Sequence, residues 1–354
     1  MASVQAINSD VVWQKGDRLI ARWLFVVAAM IFAMVVVGGI TRLTESGLSM
    51  VRWEPVKGII PPLTEEAWQA EFAAYQQYPE YQKVNLGMTL DEFKAIYWWE
   101  FGHRLLGRSI GLVFLLPFLV FLAKGYVRPK LKPKLWAMFV LGGLQGALGW
   151  YMVASGLVDQ PDVSHYRLAA HLMMALIIYA YILWVAFDLA EPAGAPPSSL
   201  WRQDQRASAL VIALAVLVTA QITLGAFVAG LNAGFSYNTW PLMDGRFIPT
   251  GLWLLEPWWH NLLENHTMLQ FLHRMGAYAA LIGALLLWLF MRRSGRAEVR
   301  LASHLLLAAM LIQVILGIIT LLLVVPVSWG AAHQAGAVIV LTALLFLAHK
   351  MRRA

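Results

Sequence analysis

The chain has 354 residues, of which 60% are hydrophobic and only 13% are charged. This composition excludes an ordinary soluble domain and indicates an integral membrane protein. The net charge of +7 is spread over several segments instead of forming one patch, which excludes a nucleic-acid-binding protein. The chain contains no cysteine, so disulfides, iron–sulfur clusters and thiolate-ligated metals are excluded as well.

Eight apolar segments are long enough to cross a bilayer, which takes roughly 20 residues in a helix. Their apolar runs are continuous and do not alternate with polar residues, so they favour helices over a membrane barrel. The sequence therefore predicts an all-α integral membrane protein with eight transmembrane helices. In chain order the segments cover about 20–41, 102–123, 135–155, 168–189, 207–230, 268–291, 301–325 and 330–349.

Basic residues predict which ends of these segments face the cytoplasm. Lysines and arginines cluster at 124–134, at 292–300 and at 350–353, whereas the long segment 44–95 is rich in acidic residues. The positive-inside rule then places both termini in the cytoplasm and segment 44–95 outside. The N-terminus has neither a cleavable signal nor an Arg-rich transit peptide. We expect a multi-pass protein of the bacterial inner membrane, surrounded by membrane lipid.

The chain contains an internal repeat. Shifting it by 187 residues brings similar residues together at the end of the first span of each half and in the loop that follows, and each half has four spans. An even number of spans per half gives a parallel repeat, so we predict two pseudo-twofold-related four-helix bundles. The prediction divides the chain into an N-terminal half 1–189, a cytoplasmic linker 190–206 and a C-terminal half 207–354. The superimposed pairs include Gly38 and Gly225, Gly47 and Gly234, Ser49 and Ser236, and Trp53 and Trp240.

Four histidines occupy matching places in this repeat: His103 and His171 in the first half, His273 and His333 in the second. Each is predicted within the first turn or two of an even-numbered span, near the outer surface. Two imidazoles at one depth can ligate a haem iron from both faces, so the pattern predicts two bis-histidine haems. The alternative is that each histidine only caps a helix end or bonds across helices. Their repetition in both halves favours ligation.

Glu100 is the candidate catalytic residue. It lies three residues before His103, on the same helical face, and its counterpart before His273 is the neutral Gln270. This asymmetry predicts that one half performs chemistry, with Glu100 accepting or relaying protons, and that the other holds a fixed cofactor. The alternative for Glu100 is an ion pair with Arg104. Arg104 and Arg274 either pair with haem propionates or reach the membrane interface.

These residues resemble the haem A synthase family, whose members take part in cytochrome oxidase assembly. The resemblance extends from about residue 20 to 350, and its motifs are specific in combination. They are Gly38 to Gly47 (GGITRLTESG), Trp53 to Pro55, Glu92 to Ile96, Glu100 to Arg104 (EFGHR), Asn238 to Gly245 (NTWPLMDG) and His273-Arg274.

The resemblance implies a reaction and a role for each histidine pair. It associates His103 and His171 with the substrate haem O, and it implies that His273 and His333, with Arg274 beside them, hold a haem B cofactor. The implied reaction oxidises a ring methyl of haem O to a formyl group by successive hydroxylations, and the family glutamate matches Glu100. Some members carry an outer-loop cysteine pair. This chain lacks cysteine and resembles the cysteine-free subgroup typical of proteobacteria and related to the mitochondrial enzyme.

Two other functions stay open at this stage. A di-haem electron-transfer cytochrome would explain four histidines but leave Glu100 without a role, and a transporter would explain eight spans and a repeat. The expected partners are haem O synthase and cytochrome oxidase assembly factors, and a homo-oligomer is compatible with the sequence. If iron between His103 and His171 is six-coordinate, one of them has to leave before oxygen is activated.

Overall fold

The computed structural model describes residues 2–52, 57–156, 163–191 and 204–353. This part of the chain is mostly helical, and its one β contact is a bridge between Met243 and Arg246. Within it, eight helices are long and apolar enough to cross a membrane, which confirms the predicted fold class. They are α1 (Ala2–Leu43), α2 (Leu90–Ala123), α3 (Lys132–Gly156), α4 (His165–Ala190), α5 (Gln205–Gly230), α6 (His266–Met291), α7 (Ala297–Leu322) and α8 (Val327–Arg353).

Helix α2 begins well before the apolar segment that predicted it. Thr89 and Glu92 form a capping box: the Thr89 hydroxyl accepts from the backbone N–H of Glu92, and the Glu92 carboxylate accepts from that of Thr89. The prediction that His103 lies in the first turn or two of its helix is therefore wrong. His103 lies about 20 Å from the start of α2, in its fourth turn. The other three histidines lie in the second turns of α4, α6 and α8.

The eight helices contact one another in two similar sets. Helix α1 packs on α2 and α4, and α3 packs on the same two helices; α5 packs on α6 and α8, and α7 on those two. Each set has its own apolar core. The sets meet where α8 packs on α1 and α4, and where α4 packs on α5. These contacts agree with the predicted four-helix halves, whose twofold relation and boundaries stay predictions. Most of the predicted linker lies outside the described residues.

The segment between α1 and α2 folds onto the extended start of α2. Two short helices, Glu65–Tyr75 and Pro79–Lys83, pack there around an aromatic cluster that includes Trp68, Phe93 and Tyr97. Tyr75 is fully buried in this cluster and accepts a hydrogen bond of 2.7 Å from the Asn85 amide. Burial raises the pKa of the Tyr75 phenol. The motif at Trp53 lies outside the described residues.

Candidate functional site

His273 and His333 form a close imidazole pair between α6 and α8. Their ring centroids lie 6.3 Å apart, with the ring planes at 83°. A metal–imidazole bond measures about 2 Å, so two rings that bind one metal from opposite sides have centroids roughly 6 Å apart. Each imidazole is only half-buried. The pair therefore fits two axial ligands of one iron.

His103 and His171 belong to α2 and α4 in the first half, and both are half-buried. Among the described residues, they make no ring contact with each other of the kind that joins His273 to His333. Nor do any three His, Asp or Glu side chains of the described residues converge to hold a metal ion. The candidate ligands are therefore pairs, of which the second is already at the spacing for ligation.

Each of the four histidines lies against a glycine of the helix that precedes it. A Cβ atom built on these glycines would lie between 2.8 and 3.2 Å from the nearest imidazole atom. A side chain at Gly149 or Gly317 would collide with a candidate ligand, and one at Gly38 or Gly225 would crowd it. The pairs are Gly38 with His103, Gly149 with His171, Gly225 with His273, and Gly317 with His333.

Three of these glycines have a glutamine one turn earlier that bonds to the same histidine. The amide nitrogens of Gln145, Gln221 and Gln313 donate to the backbone carbonyls of their histidines at 3.0, 2.7 and 3.0 Å. They also lie 3.2, 3.0 and 3.2 Å from Nδ1 of the same imidazoles. Such outer partners fix the orientation of ligating histidines. The sequence signal for these contacts is Gln-x-x-x-Gly, which the sequence analysis did not use.

Glu100 is buried beside His103 and is surrounded by donors. Its Oε2 accepts from the hydroxyl of Ser49 at 2.7 Å and from the backbone N–H of Met50 at 2.6 Å, and its Oε1 accepts from Arg104. Arg104 also donates to the carbonyl of Met50 at 2.9 Å. The ion pair considered as the alternative role of Glu100 is therefore present. The carboxylate also holds the loop that follows α1 against α2.

The second half has similar contacts, but the hydrogen bond between the loop and the residue that corresponds to Glu100 runs in the opposite direction. Arg274 donates to the carbonyls of Tyr237 and Thr239, both at 2.8 Å, and Gln270 donates to that of Tyr237 at 3.0 Å. Tyr237 is the repeat counterpart of Met50. Thus the loop donates to Glu100 in the first half and accepts from Gln270 in the second. In the described part of the chain, no carboxylate forms an ion pair with Arg274, which suits this buried cation to an anionic ligand.

A cavity of about 270 Å³ opens beside Arg104, between α2 and the segment that joins α1 to α2. Arg52 and Arg108 also line it, together with Tyr97 and Glu71. Its lining thus has three guanidinium groups and one carboxylate, Glu71, which pairs with Arg52 at 3.5 Å, and this excess of positive charge favours anionic groups such as carboxylates. Because Arg104 bonds directly to Glu100, this cavity is continuous with the polar contacts of the candidate catalytic residue.

Comparison with known proteins gives one family throughout. A family described as cytochrome oxidase assembly protein matches residues 21–345. A heme A synthase of Nitrosospira multiformis is 51% identical over 99% of this chain and 100% of its own. The heme A synthase of Parvibaculum lavamentivorans is 50% identical over 98% of both chains, and that of Rhodospirillum centenum is 50% identical over 95% of this chain and 89% of its own.

Proposed function

The chain belongs to the haem A synthase family of cytochrome oxidase assembly proteins, and from that premise we propose that it is a multi-pass membrane oxidoreductase that converts haem O to haem A. Two heme A synthases that are 51% and 50% identical to this chain over 99% and 98% of its length support this function. The observation that carries it in the structure is the contrast between Glu100 and Gln270, which makes the two similar halves chemically different. An electron-transfer cytochrome or a transporter would explain neither the similarity to heme A synthases nor the contrast between Glu100 and Gln270.

We assign the substrate to the first half. His103 and His171 hold the iron of haem O, which enters between the helices from the lipid. Two successive hydroxylations of one ring methyl, together a four-electron oxidation that requires an external oxidant such as molecular oxygen, give a geminal diol, which loses water to leave the formyl group of haem A. The arginines beside the small cavity, Arg104 and Arg108, bind the carboxylate end of the porphyrin and keep its opposite end within the membrane.

We assign a resident haem B to the second half, between His273 and His333. The group supplies one-electron redox chemistry when bound. The 6.3 Å separation of the two imidazoles supports this assignment. Gln221 and Gln313 hold both rings in place, and Arg274 offers its buried positive charge to a propionate. Fixed ligands of this kind suit a group that stays bound while substrate is exchanged in the other half.

Glu100 is the proposed catalytic residue. It lies one turn from His103 on α2, so its carboxylate faces the same side of the helix as the candidate substrate ligand. Its Oε2 can take up a proton and exchange it with the Ser49 hydroxyl, which also lies 2.9 Å from the carbonyl of Ser46. Gln270 cannot take up a proton, so the second half lacks this function.

The proposed setting is the bacterial inner membrane, with both termini in the cytoplasm and the outer loops on the opposite side. The N-terminal half 1–189 then contains the substrate site and the C-terminal half 207–354 the cofactor site. Haem O synthase is the partner that would deliver the substrate, and cytochrome oxidase assembly factors would receive the product.

The test is extraction and mass analysis of haems from the purified protein, made in cells that supply haem O. We expect haem B with haem A from the wild type. Glu100→Ala and Glu100→Gln should yield haem B with haem O or a partly oxidised form. Glu65→Gln changes an exposed carboxylate of the outer segment and should form haem A as the wild type does. Haem B alone in every sample, at two per chain, would overturn the proposal in favour of an electron-transfer cytochrome.

A further inference from the structure

His103 differs from the other three histidines in its helix neighbour. Where Gln145, Gln221 and Gln313 precede a glycine by one turn, Gly38 is preceded by Met34. The repeat shift that brings Gly38 onto Gly225 also brings Met34 onto Gln221. A thioether has no hydrogen to donate and accepts only weakly. His103 therefore lacks the amide contact that the other three histidines have.

Met34 occupies the same place as the glutamines, so the difference is chemical and not positional. A Cβ atom built on Gly107, one turn after His103, would lie 2.9 Å from the terminal methyl of Met34. The side-chain oxygen of Gln221 lies 2.2 Å from the Cβ position of Gly276, which comes three residues after His273, whereas Gly107 comes four residues after His103. Met34 and Gln221 thus both reach the helix of their histidine about one turn beyond it, at positions one residue apart in the repeat.

The imidazole of His103 is also turned differently. In the other three pairs the imidazole atom nearest the glycine is Cε1, with both ring nitrogens farther away. In His103 the nearest atom is Nε2, at 3.2 Å from the Cβ position of Gly38, followed by Cδ2 at 3.6 Å. Three imidazoles share one orientation, set by a glutamine and a glycine, and the fourth has another.

We infer that His103 is the exchangeable ligand of the substrate haem, and that Gln145 is a positioning residue that keeps His171 bound. This inference rests on the proposed function, because it requires haem O between His103 and His171. A ring held by a fixed amide returns to the iron after each release, whereas a ring without that restraint can rotate away. Release of His103 opens a coordination position on the α2 side, the side on which Glu100 lies.

The test uses Met34→Gln, which supplies the missing amide at nearly constant volume, with Met34→Leu as the matched control. The full-length protein is purified from cells that supply haem O, reduced anaerobically and titrated with carbon monoxide. We expect the wild type to bind carbon monoxide at one of its two haems. Met34→Gln should weaken that binding about tenfold, or ~1.4 kcal/mol, and Met34→Leu should leave it unchanged.

Removal of each ligand identifies which histidine leaves. His103→Ala should keep its haem O on His171 and bind carbon monoxide at least as tightly as the wild type, whereas His171→Ala should lose most of its haem O. Gln145→Met should raise the rate of haem O loss about tenfold. Unchanged carbon monoxide binding in Met34→Gln, or retention of haem O by His171→Ala but not by His103→Ala, would overturn the inference alone. A wild type that binds only haem B would overturn the proposed function with it.

Discussion

Gly317 and His333 fit so closely that a methyl group at position 317 would lie 2.8 Å from Cε1 of the imidazole. Gly149 stands in the same relation to His171, at 2.9 Å. Carbon atoms do not approach so closely without displacement, since their optimal separation is about 3.5–4.0 Å. These glycines therefore determine how near each imidazole comes to the neighbouring helix, and with it where its nitrogen can meet an iron.

Gly149→Ala should lower haem O binding, since the new methyl displaces His171 from the glycine that holds it. We expect about tenfold weaker retention of haem O with haem B unchanged, measured by haem extraction from the purified protein. Gly146→Ala is the control on the same helix, because its Cβ would meet nothing within 4 Å. It should retain both haems and melt no lower than the wild type. Equal haem O content in both variants would contradict this role of Gly149.

Ser49→Ala should slow the reaction without releasing the substrate. It removes the 2.7 Å hydrogen bond to Oε2 of Glu100 but leaves those from Met50 and Arg104 in place. Loss of one bond to a charged group costs about 1.5–3 kcal/mol, so we expect haem A formation to slow by roughly tenfold or more. Haem O bound per chain should be unchanged. A wild-type rate would mean that this hydroxyl neither positions Glu100 nor relays its proton.

Arg274→Lys should lower the stability of the second half and its binding of haem B, although the substitution keeps the positive charge. The guanidinium bonds to two carbonyls at once, those of Tyr237 and Thr239, and a lysine ammonium cannot reproduce this fork. We expect a lower melting temperature and at least a severalfold loss of haem B, measured by absorbance and haem extraction. Arg293→Lys, at an exposed position, is the control. Full haem B content in Arg274→Lys would show that the charge alone suffices.

The sequence was sufficient to predict the eight spans because a run of about 20 apolar residues is typical of a transmembrane helix. It placed the start of α2 too late, since the polar first turns of that helix are set by the capping box of Thr89 and Glu92 and not by hydrophobicity. The pairing of His273 with His333 and the bonds around Glu100 depend on helix packing, which periodicity alone does not specify. The repeat aligns Met34 with Gln221 in the sequence, but the bonds from Gln221 to His273, which make the difference significant, appear only in the structure.

Gly39 and Gln334 join the two halves and should be energetically coupled. The amide of Gln334, on α8, donates to the carbonyl of Val35 on α1 at 2.7 Å, and a Cβ on Gly39 would lie 2.1 Å from its Oε1. Gly39→Ala must therefore push the amide away and break the same hydrogen bond that Gln334→Ala removes. We expect each single variant to lower the free energy of unfolding by about 1–3 kcal/mol.

The double variant should cost little more than either single one, because truncation of Gln334 makes room for the new methyl. The measurement is unfolding in detergent micelles of the wild type, both single variants and the double variant, combined in a double-mutant cycle. Gly143→Ala, at a position where a Cβ meets nothing within 4 Å, controls for the general effect of replacing a helical glycine by alanine. Additive costs for Gly39→Ala and Gln334→Ala would mean that the two residues act independently, and that the contact between α1 and α8 does not depend on their fit.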